Sequence, residues 1–343
     1  LLKCDVLVGH VEVPHSRRGE DLHLEVPAPA SDPAHLAALL RAGFHVATLA
    51  GNHIADVGPN GVEDTIAELH RLGIATTGAG MNLDQARQPA LMERRGLRFG
   101  FLSYNCVGPK ESWAGTERAG CAYVNVDTEG PYASPGISAA AELETIEAMM
   151  KDIEALRSEV DIVTVSLHKG LGHTPATVAA YERQVAHSAI DAGADAIVGH
   201  HAHILQGMEI YRNRPIFHGL GNFAIATRAL SLEGNPSQKR RAWAERRRRL
   251  FGFEPDPEYL TYPFHPDAKN AIIGFCEVDR HGVCSAGFTP CFVNKHSQPE
   301  ALGDDDRGRA VANYVRDISD RAALNAQFHW DGNRVMFYQR EVL

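Results

Sequence analysis

The chain has 343 residues, 44% of them apolar and 22% charged, with a formal net charge of -9, the proportions of a globular protein large enough to bury one or two cores. The negative balance argues against a dedicated nucleic-acid binder, and no run reaches the ~18 apolar residues that a membrane-spanning helix needs. Six cysteines, at positions 4, 106, 121, 276, 284 and 291, form no CxxC pair and no compact framework, which reads as thiols of a reducing cytoplasm rather than a stapled secreted domain.

Helix and strand signals alternate along the chain. Val6-Leu7-Val8 is a strand-like run passing into Gly9-His10-Val11-Glu12, so early that the chain reads as lacking a first strand. Pro33 to Ala42 predicts a helix, His45 to Leu49 a strand, Pro59 to Leu72 a helix stopped by Gly73, and Ile74 to Thr77 a strand. The strand at 45–49 ends in Ala50-Gly51-Asn52-His53, with Asp56 and Gly58 beyond. Pro89 to Glu93 and Leu97 to Ser103 flank Arg95-Gly96 as a hairpin. The polar, Gly- and Pro-containing stretch from Gly108 to Gly136 predicts a long loop and a lid over a site.

Alternation then resumes with a helix over Ala139 to Glu159, a strand over Ile162 to Leu167 ending in His168-Lys169-Gly170, and a helix over Thr177 to Ala192. The strand Ala196 to Val198 follows and ends in Gly199-His200-His201-Ala202-His203. Met208 to Tyr211 and Pro215 to His218 form a second hairpin, closed by Gly219-Leu220-Gly221-Asn222-Phe223. From about Ala229 the pattern loosens into a basic helix at Lys239–Arg249, strands over Ala271 to Val278 and Val283 to Phe292, and a helix over Asp305 to Arg321. The basic helix reads as a solvated face able to draw an anionic partner. No GxGxxG or Walker-type phosphate loop stands at a strand-to-helix turn.

Four apolar strands therefore each end in a histidine, and open α/β sheets bind ligands at the carboxyl ends of their strands. A lone histidine there is more often structural; His53, His168, His201 and His203 together predict a metal site, because metal ligation gathers imidazoles and carboxylates at strand tips. If the extended backbone continues past Val198, His201 and His203 point the same way and offer two nitrogens to one ion.

These motifs, with Gly78-Ala79-Gly80-Met81-Asn82, Ala86, Pro89 and Asp191-Ala192-Gly193-Ala194-Asp195, resemble the CapA-type proteins linked to poly-gamma-glutamate and capsule biosynthesis, of the calcineurin-like metallophosphoesterase fold. The similarity covers residues 1 to about 226. It implies a four-layer α/β/β/α sandwich, read as a single domain over 1–343 in which 227–343 is a divergent continuation. It also implies metal donors at Asn52, His53, His168, His201 and His203, and one further aspartate ahead of Leu1. His10 stands where the family usually carries Asn or Gln, and Lys169 where an aromatic residue is common.

Such a donor set suits Zn, Mn or Fe, while oxygen-rich shells suit Mg or Ca. The leading expectation is a metal-dependent hydrolase or transferase acting on a phosphoryl or acyl group, with catalytic candidates His53, His168, His10 and Asp56. Substrate-binding candidates are His173, Lys169, Asn222 and His265, facing an anionic polymer or peptide. Two alternatives stand beside it. One is a metal-dependent peptide epimerase using acid/base groups such as His10, His173, His218 and His265. The other is a non-catalytic polyglutamate-binding accessory protein.

Overall fold

The computed structural model describes residues 4–22, 29–127, 136–228, 231–232 and 236–340. The chain forms two compact units, Leu1–Lys169 with Arg183–Ile197 and Arg280–Gly282, and Gly170–Glu182 with Val198–Asp279 and Val283–Leu343. The chain passes from one to the other inside the helix Ala180–Asp191 and the strand Ala196–His201.

In the first unit, Val8–His10, Val46–Thr48 and Ala75–Thr77 form a parallel sheet, with His10 opposite Thr48 and Thr48 opposite Thr77. A second sheet places Ala90–Arg94, Leu97–Asn105, Ile162–Lys169 and the start of Ala196–His201 side by side. Side chains alternate across a strand, so each sheet has two apolar faces to cover. Val46 and Val8 of the first sheet pack against Phe99 and Phe101 of the second, and Ser166 Oγ lies 3.3 Å from Thr48 Oγ1 across the same interface. Ala47 and Leu49 point the other way, onto Val62 and Leu69 of the helix Pro59–Arg71.

The helix Leu143–Arg157 buries Ile146, Met149, Ile153 and Leu156, a helical stripe. Leu156 sits over Gly100 so closely that a Cβ there would come within 2.7 Å of it. Helix, sheet, sheet and helix stack in that order, which is the α/β/β/α sandwich expected. Its hairpin turn is tight because Arg95 (φ 52°) and Gly96 (φ 76°) both adopt the left-handed region that a two-residue turn requires.

The expected lid is a different object. Trp113 is buried and stacks on Tyr123 at 4.3 Å, its Nε1 donates to the Val107 carbonyl at 3.2 Å, and Gly120–Cys121 pairs with Ala79–Gly80. An apolar anchor of that size draws the segment through residue 127 into the core. The part of the expected lid at 128–135 lies outside the described residues. The helix expected over Ala139 to Glu159 starts only at Leu143, because Glu142 N is committed to the Asn125 carbonyl.

In the second unit, Leu205–Tyr211 and Arg214–Leu220 form an antiparallel hairpin, and the end of Ala196–His201 lies beside Arg214–Leu220. A second sheet orders Asn270–Asp279, Gly282–Val293, Arg334–Gln339 and Ala326–Asp331, with Pro299–Ala301 paired to Gly282–Val293. The helix Asp306–Arg321, capped by the Asp305 side chain accepting from Gly308 N, closes the main core with Val311, Val315 and Ile318 against Met208, Phe217, Phe288 and Phe337. The basic segment forms the helix Gln238–Phe251, capped by Ser237. It is not solvated all round: Trp243, Ala244 and Arg247 are buried.

Candidate functional site

In the first unit three parallel strands deliver the candidate residues from their carboxyl ends. His10 ends Val8–His10, Asn52 and His53 follow Val46–Thr48, and His168 stands one residue from the end of Ile162–Lys169. His168 shares the inward face with Ser166, two positions back, and is fully buried. Its Nε2 lies 2.8 Å from Asn52 Oδ1. The His10 and His168 rings are 5.0 Å apart, and His10 Nδ1 lies 3.3 Å from the Thr48 hydroxyl. A carboxylate oxygen of Glu12 and a ring nitrogen of His168 come within 4.8 Å of each other.

His53 and Asp56 form a buried pair, Nδ1 to Oδ2 at 2.7 Å. The loop that carries them brings their backbones together, Asp56 N donating to the His53 carbonyl at 3.0 Å. Burial is the largest influence on Asp56 and raises its pKa, against the pull of His53. The second carboxylate oxygen, Oδ1, is buried without a hydrogen bond among the described residues. A carboxylate on Nδ1 fixes the imidazole tautomer and directs Nε2 outward as the reactive nitrogen.

This donor set fits a divalent cation. Gly51 leaves open the space a Cβ would fill, 3.0 Å from His10 Nε2 and 3.5 Å from His168 Cε1. The 2.8 Å separation of Asn52 Oδ1 and His168 Nε2 is near the edge of about 3 Å that a six-coordinate ion with bonds of ~2.1 Å imposes on neighbouring donors. Imidazole, amide and carboxylate donors suit Mn, Zn or Fe. Lys169, expected at the substrate, is fully buried.

The second unit carries its own cluster. The strand reaches His201 and stops there; His201 has φ 104° and His203 φ 54°. The extended spacing expected to align His201 with His203 is therefore not what relates them, since a left-handed turn does, and the two rings stand 6.3 Å apart at 46°. Non-glycine residues in that region are strained and collect at functional sites. Upstream, Gly199 has no room for a side chain, because a Cβ there would lie 2.0 Å from the His218 carbonyl oxygen.

Asn222 Oδ1 accepts from His203 Nδ1 at 2.8 Å, again leaving Nε2 outward. His173, also left-handed at φ 54°, donates its backbone N–H to the Ala202 carbonyl at 2.8 Å. Its ring meets His203 at 5.7 Å, Phe251 at 5.0 Å and Phe253 at 4.9 Å. Burial first, then the charges of His203, His265, His201 and Arg247, push the His173 pKa well below that of free imidazole. His265 accepts from Asp267 N at 3.1 Å, capping the short helix Pro266–Lys269. His218 Nε2 is held by Glu209 Oε2 at 2.9 Å, both buried.

Of the expected residues, His10, Asn52, His53, Asp56 and His168 belong to the first unit, and His173, His201, His203, Asn222 and His265 to the second. Glu12 was not among them. The signal that finds it is its position two residues beyond His10. No described helix is long and apolar enough to cross a membrane.

Comparison with known proteins places these motifs. The family described as "Bacterial capsule synthesis protein PGA_cap" matches residues 1–227. "Probable polyglutamine synthesis accessory protein Rv0574c" of Mycobacterium tuberculosis is 33% identical over 222 residues, 64% of this chain and 55% of that protein. "Capsule biosynthesis protein CapA" of Bacillus anthracis is 30% identical over 188 residues, 55% of this chain and 42% of that protein. "PGA biosynthesis protein CapA" of Bacillus subtilis is 28% identical over 232 residues, covering 64% and 53%. The chain thus spans about half the length of the curated relatives it matches. Among solved structures, the calcineurin-like phosphoesterase YfkN of Bacillus subtilis matches over 84% of this chain and 73% of its own, at 12% identity and a TM-score of 0.37. With its histidine-bearing strand ends inside the matched region, the chain belongs to the bacterial capsule synthesis protein family PGA_cap.

Proposed function

We propose that the protein is a metal-dependent hydrolase or transferase of capsule or poly-gamma-glutamate biosynthesis, acting on a phosphoryl or acyl group of an anionic polymer or peptide. The observation that carries this reading is the fully buried His168, held 2.8 Å from the Asn52 amide oxygen with His10 beside it. Asn52, His53 and His168, with His10 and Glu12, are the donors proposed in the first unit, and His201 and His203 those proposed in the second. A divalent cation supplies Lewis acidity toward the substrate oxygen and lowers the pKa of a coordinated water.

The chain's own residues then have separate tasks. Asp56 holds the Nδ1 proton of His53 and stabilises the imidazolium, so that Nε2 serves as a donor atom or delivers a proton to the leaving group. Asn222 orients His203 in the same way. His173, neutral because it is buried, and Asn222 and His265 are proposed to meet the substrate, as is Lys169. Epimerisation takes less support, since Glu209 already engages Nε2 of His218, one of its acid/base candidates. A second reading, polymer binding without turnover, is favoured by the word accessory in the names of the mycobacterial relatives. The cytoplasm remains our proposal for the compartment, from the cysteine pattern.

The test is to screen phosphate esters and γ-glutamyl peptides with metal-loaded protein. Alanine at His53 or His168 is expected to abolish turnover together with bound metal, and Asp56→Asn to lower turnover by about ten- to a hundredfold while the metal stays. Full activity of folded His168→Ala would overturn the reading.

A further inference from the structure

The helix Gln238–Phe251 lies beyond residue 227, where the family match ends, and the function proposed above makes no use of it. Its buried face holds a cation whose hydrogen-bonding capacity is largely unfilled among the described residues. Arg247 is 3% exposed, yet its Nε and Nη1 have no hydrogen-bond partner among the described residues. Among the described residues its one carboxylate neighbour is Glu254, 3.5 Å from Nη2 and itself half-exposed, and Glu254 is engaged more closely by Arg248. Burial draws the guanidinium pKa below its ordinary value.

One turn earlier on the same face, buried Trp243 keeps its Nε1 without an acceptor among the described residues; positions four apart on a helix are neighbours. Three buried donor atoms therefore have no acceptor among the described residues, and the charge beside them is met only by a half-exposed carboxylate at 3.5 Å. Native interiors pair buried charges and satisfy buried donors, so such a set is expected where a ligand completes it. Phe253, whose ring lies 5.6 Å from the Arg247 guanidinium and 4.9 Å from the His173 ring, supplies an apolar wall. The exposed arginines of the same helix, Arg241, Arg248 and Arg249, add a field that attracts anions.

We propose that Arg247 and Trp243 form an oxyanion-binding subsite of the second unit that takes a carboxylate or phosphate group of the substrate. It rests on the proposed function only for the identity of that substrate. Guanidinium is suited to this role because it stays charged when buried and presents planar donors that match carboxylate and phosphate oxygens.

The experiment is calorimetric titration of the whole chain with two probes, a γ-linked glutamate oligomer and inorganic phosphate. Loss of a charge-assisted hydrogen bond predicts that Arg247→Met weakens the bound probe by about tenfold or more, and that Arg247→Lys recovers part of the loss. Trp243→Phe, which keeps the ring and removes the donor, is expected to weaken binding several-fold and serves if Arg247→Met does not fold. Binding of the oligomer alone assigns the subsite to carboxylate, and binding of phosphate alone assigns it to phosphate. Failure of both probes to bind the wild type, or unchanged affinity in folded Arg247→Met and Trp243→Phe, overturns the proposal. Arg247→Met in a His168→Ala background separates the two ideas: His168→Ala is expected to remove metal and turnover, and Arg247→Met to weaken the remaining probe binding by the same factor as in the wild type.

Discussion

Gly51→Ala puts one methyl group into the space on which the proposed metal centre depends. The new Cβ would lie 3.0 Å from His10 Nε2 and 3.5 Å from His168 Cε1, whereas unstrained contacts of this kind sit at about 3.5–4.0 Å. His10 must therefore retreat by several tenths of an ångström, and metal–ligand distances tolerate only about 0.2 Å. We expect a loss of about ten- to a hundredfold in metal affinity, the range seen when a ligand's support is disturbed. The fold should suffer less, because an overpacking cost of about 1–3 kcal/mol is partly offset by about 0.4–1 kcal/mol from the stiffer unfolded chain. The assay is competition for Mn or Zn against a calibrated chelator, with circular dichroism to confirm the native state. Wild-type affinity in folded Gly51→Ala would refute the reasoning, since it would mean that no ion uses this space.

Further outcomes follow from other parts of the molecule. Gly199→Ala should destabilise strongly, by about 3 kcal/mol or more, because its Cβ meets the His218 backbone oxygen at 2.0 Å and backbone has little freedom to yield; a thermal melt within a degree of wild type would contradict this. Asp161 accepts from Arg98 N at 2.7 Å, and that hydrogen bond, ahead of the Arg98 charge, holds its carboxyl below the usual range. A depressed carboxyl stabilises the fold above its unfolded pKa and ceases to as pH falls through the folded one. Asp161→Asn should therefore melt lower than wild type at neutral pH, with the two curves converging in acid; a constant gap down to the lowest pH would show that the charge is not the cause.

Much of the architecture is legible in the sequence because it rests on short-range signals. Short continuous apolar runs mark the sandwich strands, and Arg95-Gly96 and Arg212-Asn213 mark both hairpins, Gly96 and Asn213 being residue types that tolerate positive φ. What escaped depends on distant partners. The stretch after Gly108 looks like a loop in composition, and nothing local announces that Trp113 packs on Tyr123. His203 follows a strand in sequence but leaves it in space, since a left-handed His201 ends the extension. Composition also hid Arg247: seven basic residues between 239 and 249 read as a solvated helix, while the four-residue spacing of Trp243 and Arg247 carries the buried face. Of the first-unit donors, His53 and His168 are legible from strand ends, Asn52 from the family resemblance, and His10 only as a catalytic candidate; Glu12 needed the structure.

The central claim is that imidazole and amide donors at strand ends hold a divalent cation, and elemental analysis of the purified chain after loading with Mn or Zn and exhaustive dialysis tests it most directly. The account predicts a stoichiometric ion in the wild type and its loss in folded His168→Ala. Metal-free wild type under both loadings, or an undiminished ion in His168→Ala, would contradict it.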